Sequence, residues 1–322
     1  MLKQHQAEQF SDLFNRALAN IGTVIKGKQD QIGMTLVSVF AQGHVLLEDR
    51  PGTGKTSLAK AIAQTIGGEW SRIQFTPDLL PSDVTGGLFY NQATGDFALR
   101  KGPIFANIVL ADEINRASPK AQSALLEVME ERQVTVDKET TSLEPPFVVI
   151  ATQNPGEREG TYRLPEAQLD RFLMRLTFGS LDEASEVEVL RGNAAGISPE
   201  GLPERVTLEE VRWMSQVAEA VHLEDPVMEY IVRIAAATRA MPELDVGAST
   251  RGAVSLMKAS RSLAAARGRT FVTPDDVKAL AGHVLAHRMI RTPEAELHGT
   301  LTEDLVDRAL DTVPAPRPVR AE

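Results

Sequence analysis

A covered parallel α/β sheet domain followed by an all-helical domain is the fold class this sequence predicts, on three observations. Short apolar runs alternate with helical stretches through the first half, as buried parallel strands alternate with their crossover helices. The first of these runs ends in a glycine-containing turn that opens a helix. After Ser180 the strand signal stops and helix follows helix. With 322 residues there is room for a larger and a smaller domain. The predicted division is 1–180 for the α/β core with its N-terminal helices and a hairpin insert, 181–310 for the helical domain, and 311–322 for a flexible tail.

Each element has its own signal. Phe10, Leu13, Phe14, Ala17, Leu18 and Ile21 recur at helical spacing, and Ile32, Leu36, Val39 and Phe40 do so after Gly27, so two helices precede the sheet. His44–Glu48 reads as a buried strand and 56–65 as the helix behind the turn. Further strands are expected at 108–111, 147–151 and 173–178, with a helix at Pro119–Glu131. The segment 88–99 reads as a hairpin around a Gly-containing turn, and 133–141 as a second one. In the second half, Leu208, Val211, Met214, Val217 and Val221, then Val227, Ile231 and Ile234, then Val254, Leu256 and Met257 mark successive helices. Thr273-Pro274-Asp275-Asp276 supplies an N-cap, a first-turn proline and acids suited to the positive end of another.

The bulk properties narrow the function classes. Hydrophobic residues at 43% and charged residues at 24% describe an ordinary globular chain with material for a core. No apolar run approaches the roughly 20 residues needed to cross a bilayer, and the polar start has no signal-peptide core, so a cytoplasmic protein without a membrane partner is expected. Cysteine is absent, which removes disulfides, thiolate metal sites and cysteine nucleophiles. A formal net charge of -10 opposes broad contact with nucleic acid, whose binding draws on phosphate neutralisation.

The chemistry is concentrated at strand ends. After the first strand, Pro51-Gly52-Thr53-Gly54-Lys55-Thr56, with Ser57 following, has the glycines that let backbone N–H groups wrap phosphates in front of a helix N-terminus. Lys55 is placed to reach the β- and γ-phosphates and Thr56 to hold Mg²⁺. The general pattern asks for glycine where Asp49 stands, and a plain glycine turn before a helix is the competing reading of this segment alone. A second segment, Ile108-Val109-Leu110-Ala111-Asp112-Glu113, ends a strand in two adjacent acids that can divide two tasks. Asp112 serves the magnesium shell, and Glu113 polarises the water that attacks the γ-phosphate. A third strand runs into Thr152-Gln153-Asn154-Pro155, where Asn154 either orients that water or simply precedes a proline turn. Together these predict an enzyme that hydrolyses ATP with Mg²⁺.

These residues resemble the AAA+ ATPases, and within them the MoxR family. The set comprises Leu-Leu-Glu-Asp before the P-loop, Ala-Asp-Glu-Ile-Asn-Arg-Ala at 111–117, Ala-Thr-Gln-Asn-Pro at 151–155 and Leu-Pro-Glu-Ala-Gln-Leu-Asp-Arg-Phe at 164–172. The resemblance covers roughly 20–290 and includes Gly247-Ala248-Ser249-Thr250-Arg251; Asp49 agrees with this family. It implies an αβα sheet domain with a helical lid, ATP between them, and a homo-oligomeric ring, most often a hexamer. Arg171 is then the arginine finger reaching into a neighbour's site, Arg251 the second sensor that contacts phosphate, and Val24 to Gly27 the lining of the adenine pocket. The hairpin at 88–99 resembles the helix-2 insert shared with magnesium-chelatase and MCM-type motors. The activity implied is chaperone-like remodelling or activation of a client, often with a partner bearing a von Willebrand factor A domain, or of a metal-cofactor enzyme. A nucleic-acid motor of MCM type and a nucleotide-gated scaffold with little turnover are the alternatives. The acidic total weighs against the first, and Glu113, a base that mere binding does not need, against the second.

Overall fold

The computed structural model describes residues 2–48, 53–91, 95–137, 139–154, 162 and 164–316. Helices α1 (Gln4–Gly22) and α2 (Gln29–Phe40) lead into strand β1 (His44–Glu48) and helix α3 (Lys55–Thr65). Strand β2 (Trp70–Gln74), the short helix α4 (Pro81–Thr85), strands β3 (Gly86–Asn91) and β4 (Asp96–Lys101), and strand β5 (Ile108–Asp112) follow. Helix α5 (Pro119–Glu131) precedes β6 (Gln133–Val136), β7 (Glu139–Ser142), β8 (Val148–Gln153), α6 (Glu166–Leu169) and β9 (Phe172–Thr177). The remainder is α7 (Glu183–Ala194), α8 (Leu208–Ala220), α9 (Asp225–Arg239), β10 (Leu244–Val246), α10 (Thr250–Ala266), α11 (Pro274–Leu285), β11 (Ile290–Arg291), α12 (Pro293–Leu297) and α13 (Thr302–Thr312).

Five parallel strands form the main sheet in the order β2-β5-β8-β1-β9. Strand β1 lies between β8 and β9, with His44 opposite Phe172 and Glu48 opposite Thr177. The chain order reverses at this position, which opens a crevice outside the carboxyl ends of the strands. Val45, Leu46, Leu47, Ile108 to Ala111 and Val148 to Ala151 are fully buried because helices cover both faces, which is why these strands read as continuous apolar runs.

Two apolar clusters fill the two faces. One joins Phe10, Phe40, Val45 and Ile62 to Met214, Tyr230, Leu256 and Leu280. The other packs Leu46, Val109 and Val149 against Leu125, Leu126 and Met129 of α5. The first body contains residues from both sides of position 180. Ser11 Oγ donates to the Ala266 carbonyl at 2.8 Å, and Ser262 Oγ donates to the Val37 carbonyl at 2.8 Å. The two N-terminal helices therefore pack on the helices of the second half as well as on the sheet.

The α/β class with a following helical lid is the architecture seen, and the structure adds details the sequence hid. Strand β2 has no apolar signature, since it is an edge strand whose only fully buried side chain is Ile73; Arg72 in its centre is exposed. On α10, Leu256 faces the core while Val254 points outward. Both expected hairpins form: β3 pairs with β4 from Gly86↔Lys101 to Asn91↔Asp96, and β6 pairs with β7. At the start of α11 the Asp276 carboxylate accepts the Thr273 N–H at 2.8 Å and also binds Arg267 and Arg269. Among the described residues no helix is long and apolar enough to cross a membrane. Residues 317–322 of the expected tail lie outside the described residues.

Candidate active site

Helix α3 begins at Lys55, beyond the carboxyl end of β1, so the N–H groups of its first turn face the crevice. Gly54, the residue before it, has φ +91°, a left-handed conformation that a side chain disfavours. Thr53, Gly54, Lys55, Thr56, Asp112, Glu113 and Asn154 all line one cavity of about 400 Å³, together with Arg72, Gln74, Thr152 and Gln153. Pro51 and Gly52, also expected to wrap phosphate, lie outside the described residues, as does Asp49. Parallel pairing explains the convergence: β1, β5 and β8 run side by side in one direction, so whatever follows each strand meets at one edge.

Within this cavity the two acids have different surroundings. Asp112 Oδ1 accepts the Thr152 hydroxyl at 2.6 Å, while Oδ2 accepts from Arg72 Nη2 at 2.6 Å and Nε at 3.2 Å. Glu113 adopts φ 55°, ψ 49°, a left-handed conformation that costs a non-glycine residue of order 1–3 kcal/mol and is characteristic of functional sites. Its N–H donates to Thr152 Oγ1 at 2.8 Å, and its Oε2 accepts from Gln74 Nε2 at 2.9 Å and from Arg116 Nη1 at 3.1 Å. Gln74 in turn accepts Arg72 Nη2 at 2.5 Å. The Asp112 carboxylate and the Thr56 hydroxyl supply oxygen donors only, and the described residues hold no cluster of three or more potential metal ligands. Such a sparse oxygen set fits Mg²⁺, which keeps its waters and takes the rest of its shell from phosphates.

A second cavity of about 420 Å³ shares Thr53 and Gly54 with the first and extends to Val24, Ile25, Ser57, Leu181, Val189 and Ile197. Apolar walls adjoining a phosphate site suit a planar base. Val24 lines this cavity and Gly27 does not. Gly27 has φ +65°, and a Cβ there would stand 2.4 Å from Ser185 Oγ, so it sets the close approach of this link to α7.

Arg171, expected to reach a neighbour's site, and Arg251, expected to contact phosphate, both stand away from the Lys55 cavity. Arg171 immediately precedes β9, at the amino end of the strands, whereas Lys55 follows the carboxyl end of β1. The four residue steps from His44 to Glu48 separate these edges by about 13 Å. Arg251 lines neither of the two nucleotide cavities; with Arg171, Glu130, Asp170 and His44 it lines a third, of about 280 Å³. Ion pairs with Glu130 and Asp170 hold Arg251 beside Arg171, away from the cavity at the head of α3.

Sequence reasoning missed Thr152, Arg72, Gln74 and Glu130. Thr152 stood in the quoted strand-end motif, and its place two residues before Asn154 was the available signal. Arg72 and Gln74 become meaningful only when β2 is paired beside β5, with Gln74 opposite Asp112.

Comparison with known proteins gives a consistent picture. A profile for the ATPase family associated with various cellular activities (AAA) matches 44–174, and one for the AAA lid domain matches 236–309. The chain is 39% identical to the chaperone MoxR1 of Mycobacterium tuberculosis over 94% of this chain and 82% of that one. It is 47% identical to the protein YeaC of Bacillus subtilis, over 96% of this chain and 97% of that one. A crystal structure of a candidate ATPase from Cytophaga hutchinsonii superposes with a TM-score of 0.91 at 38% identity, covering 97% of this chain and 98% of that one.

Proposed function

We propose, from the fact that this chain belongs to the MoxR family of AAA+ ATPases, that it couples ATP hydrolysis to remodelling or activation of a client protein. The observation that carries the reading is the convergence of Lys55, Thr56, Asp112, Glu113 and Asn154 on one cavity that continues into an apolar one. The triphosphate lies along the N-terminus of α3 with Lys55 on its β- and γ-phosphates, and the base enters between Val24, Leu181 and Ile197. Mg²⁺, when bound at Thr56 and Asp112, offsets phosphate charge. Glu113 draws the proton of the attacking water, and Asn154 fixes where that water stands.

Hydrolysis on this reading needs a neighbour. Arg171 cannot reach its own chain's phosphates from the far edge of the sheet, so it serves the next subunit in a ring, the hexamer that the family resemblance implies. Arg251, held beside it, serves the same neighbouring phosphate. The outward hairpin β3–β4, with Phe89 54% and Tyr90 56% exposed, supports contact with a client or a partner carrying a von Willebrand factor A domain.

The test is turnover and capture. Purified parent protein should hydrolyse ATP with Mg²⁺, and Glu113→Gln should bind ATP, stay assembled and retain the client in a pull-down. Absence of ATP binding at millimolar nucleotide would end this reading.

A further inference from the structure

We propose that Glu130 is a positioning residue that holds Arg171 and Arg251 as a pair, so that the neighbouring subunit's γ-phosphate meets both guanidinium groups at once. This rests on the ring reading above and adds to it a residue outside the nucleotide cavity. Glu130 stands in the last turn of α5. Its Oε2 accepts from Arg171 Nε at 2.9 Å and Nη2 at 2.8 Å, and its Oε1 accepts from Arg251 Nη2.

Three physical arguments lead to positioning. An acid at a helix C-terminus meets the negative end of the helix dipole, so Glu130 is poorly placed unless cations offset it; α5 has no basic residue in its own last turn. Two guanidinium groups on a single carboxylate repel each other, and removing the anion lets them diverge. Arginine presents its N–H donors in a rigid planar fork, so a carboxylate that accepts from both Nε and Nη2 fixes the plane of the Arg171 guanidinium.

The pair also stands on a rigid base. Asp170, the residue before Arg171, accepts Arg288 Nε at 2.7 Å, and Arg251 Nη1 lies 3.9 Å from its other oxygen. The Arg288 side chain is only 2% exposed and bonds the Phe172 carbonyl at 2.7 Å and Ser255 Oγ at 3.1 Å. The lid residues Arg251 and Arg288 are thus fastened to the segment that carries Arg171. Glu130 closes this arrangement from α5, which also belongs to the sheet domain.

Subunit mixing tests the proposal. Glu130→Gln keeps the side chain's shape and removes its charge. We expect unchanged nucleotide affinity and ring size, an unchanged melting temperature, and a fall in kcat of about 10²-fold, the scale of a small misplacement. Glu130→Asp, which keeps the charge on a shorter arm, should lie between it and the parent. Mixed in equal amounts with Glu113→Gln, whose own site is dead but whose arginine pair is intact, Glu130→Gln should recover about a quarter of parental turnover, the share of interfaces that join an intact site to an intact pair. A rise in turnover for Glu130→Gln alone would overturn positioning in favour of a latch. If the mixture stays inactive while Arg171→Ala mixed with Glu113→Gln recovers, Glu130 loses its role and the ring reading stands. If neither mixture recovers, action on the neighbour fails and the Glu130 proposal falls with it.

Discussion

The Thr152 hydroxyl donates to Asp112 Oδ1 at 2.6 Å, across the pairing of β8 with β5. Thr152 Oγ1 also accepts the Glu113 N–H at 2.8 Å. A single buried side chain thereby orients the carboxylate assigned to the metal and the backbone of the residue assigned to the water. Thr152→Val keeps the shape and leaves both groups without that partner. An unsatisfied buried polar group costs about 1–3 kcal/mol, so urea unfolding should show a loss of that order. We expect kcat to fall at least tenfold, with Thr152→Ser retaining most of both properties; equal kcat for the valine variant and the parent would remove the orienting role.

Lys55→Ala and Glu113→Gln should separate binding from chemistry. Lys55 lines the phosphate cavity at the head of α3, so its loss should weaken ATP binding in a fluorescence titration. Glu113→Gln should bind ATP with near-parental affinity while single-turnover hydrolysis drops by about 10²–10⁴, the range for a lost general base. Parental turnover in the glutamine variant would contradict the assignment of the base.

Arg171→Ala should keep ATP affinity and lose about 10³-fold in kcat, as removal of an arginine finger does. In the parent, specific activity should rise with protein concentration through the range where light scattering reports assembly. Constant specific activity from dilute monomer upward would contradict service to a neighbour.

His44 predicts an acid-side loss of stability. Burial lowers its pKa from 6.5 to about 4, although the hydrogen bond to the Met129 carbonyl acts in the opposite sense. Its Nε2 lies 3.1 Å from that carbonyl and its Nδ1 accepts the Val149 N–H at 2.9 Å, which fixes the neutral Nε2–H tautomer. The unfolded chain takes up a proton near pH 6.5 and the folded chain does not until about pH 4. The stabilisation is therefore complete above pH 6.5 and is lost as pH falls toward 4, to the extent of about 3 kcal/mol. His287, also buried and also shifted downward by burial, adds to the loss on the acid side. Urea midpoints between pH 7.5 and 4.5 should fall less steeply for His44→Gln than for the parent.

The sequence by itself determined the local elements, the family, and which residues are candidates for the phosphate and water chemistry. His44–Glu48 and Pro119–Glu131 have the expected bounds because fully buried strands and amphipathic helices write their periods into adjacent residues. Phosphate wrapping needs contiguous backbone N–H groups, so Thr53 to Ser57 were legible as a run, and Asp112 and Glu113 were legible as a pair ending an apolar strand. Only the tertiary structure decided which residues stand opposite one another. Thr152 and Asp112 are 40 positions apart, as are Arg72 and Asp112, and each pair meets because strand order, which no local pattern encodes, puts β5 between β2 and β8. Strand direction set the edge on which Arg171 stands, and ion pairs to Glu130 and Asp170 hold Arg251 beside it. Parallel strands send the residues that follow them to one end and those that precede them to the other, and that polarity separates Arg171, with Arg251 tethered beside it, from the cavity at the head of α3.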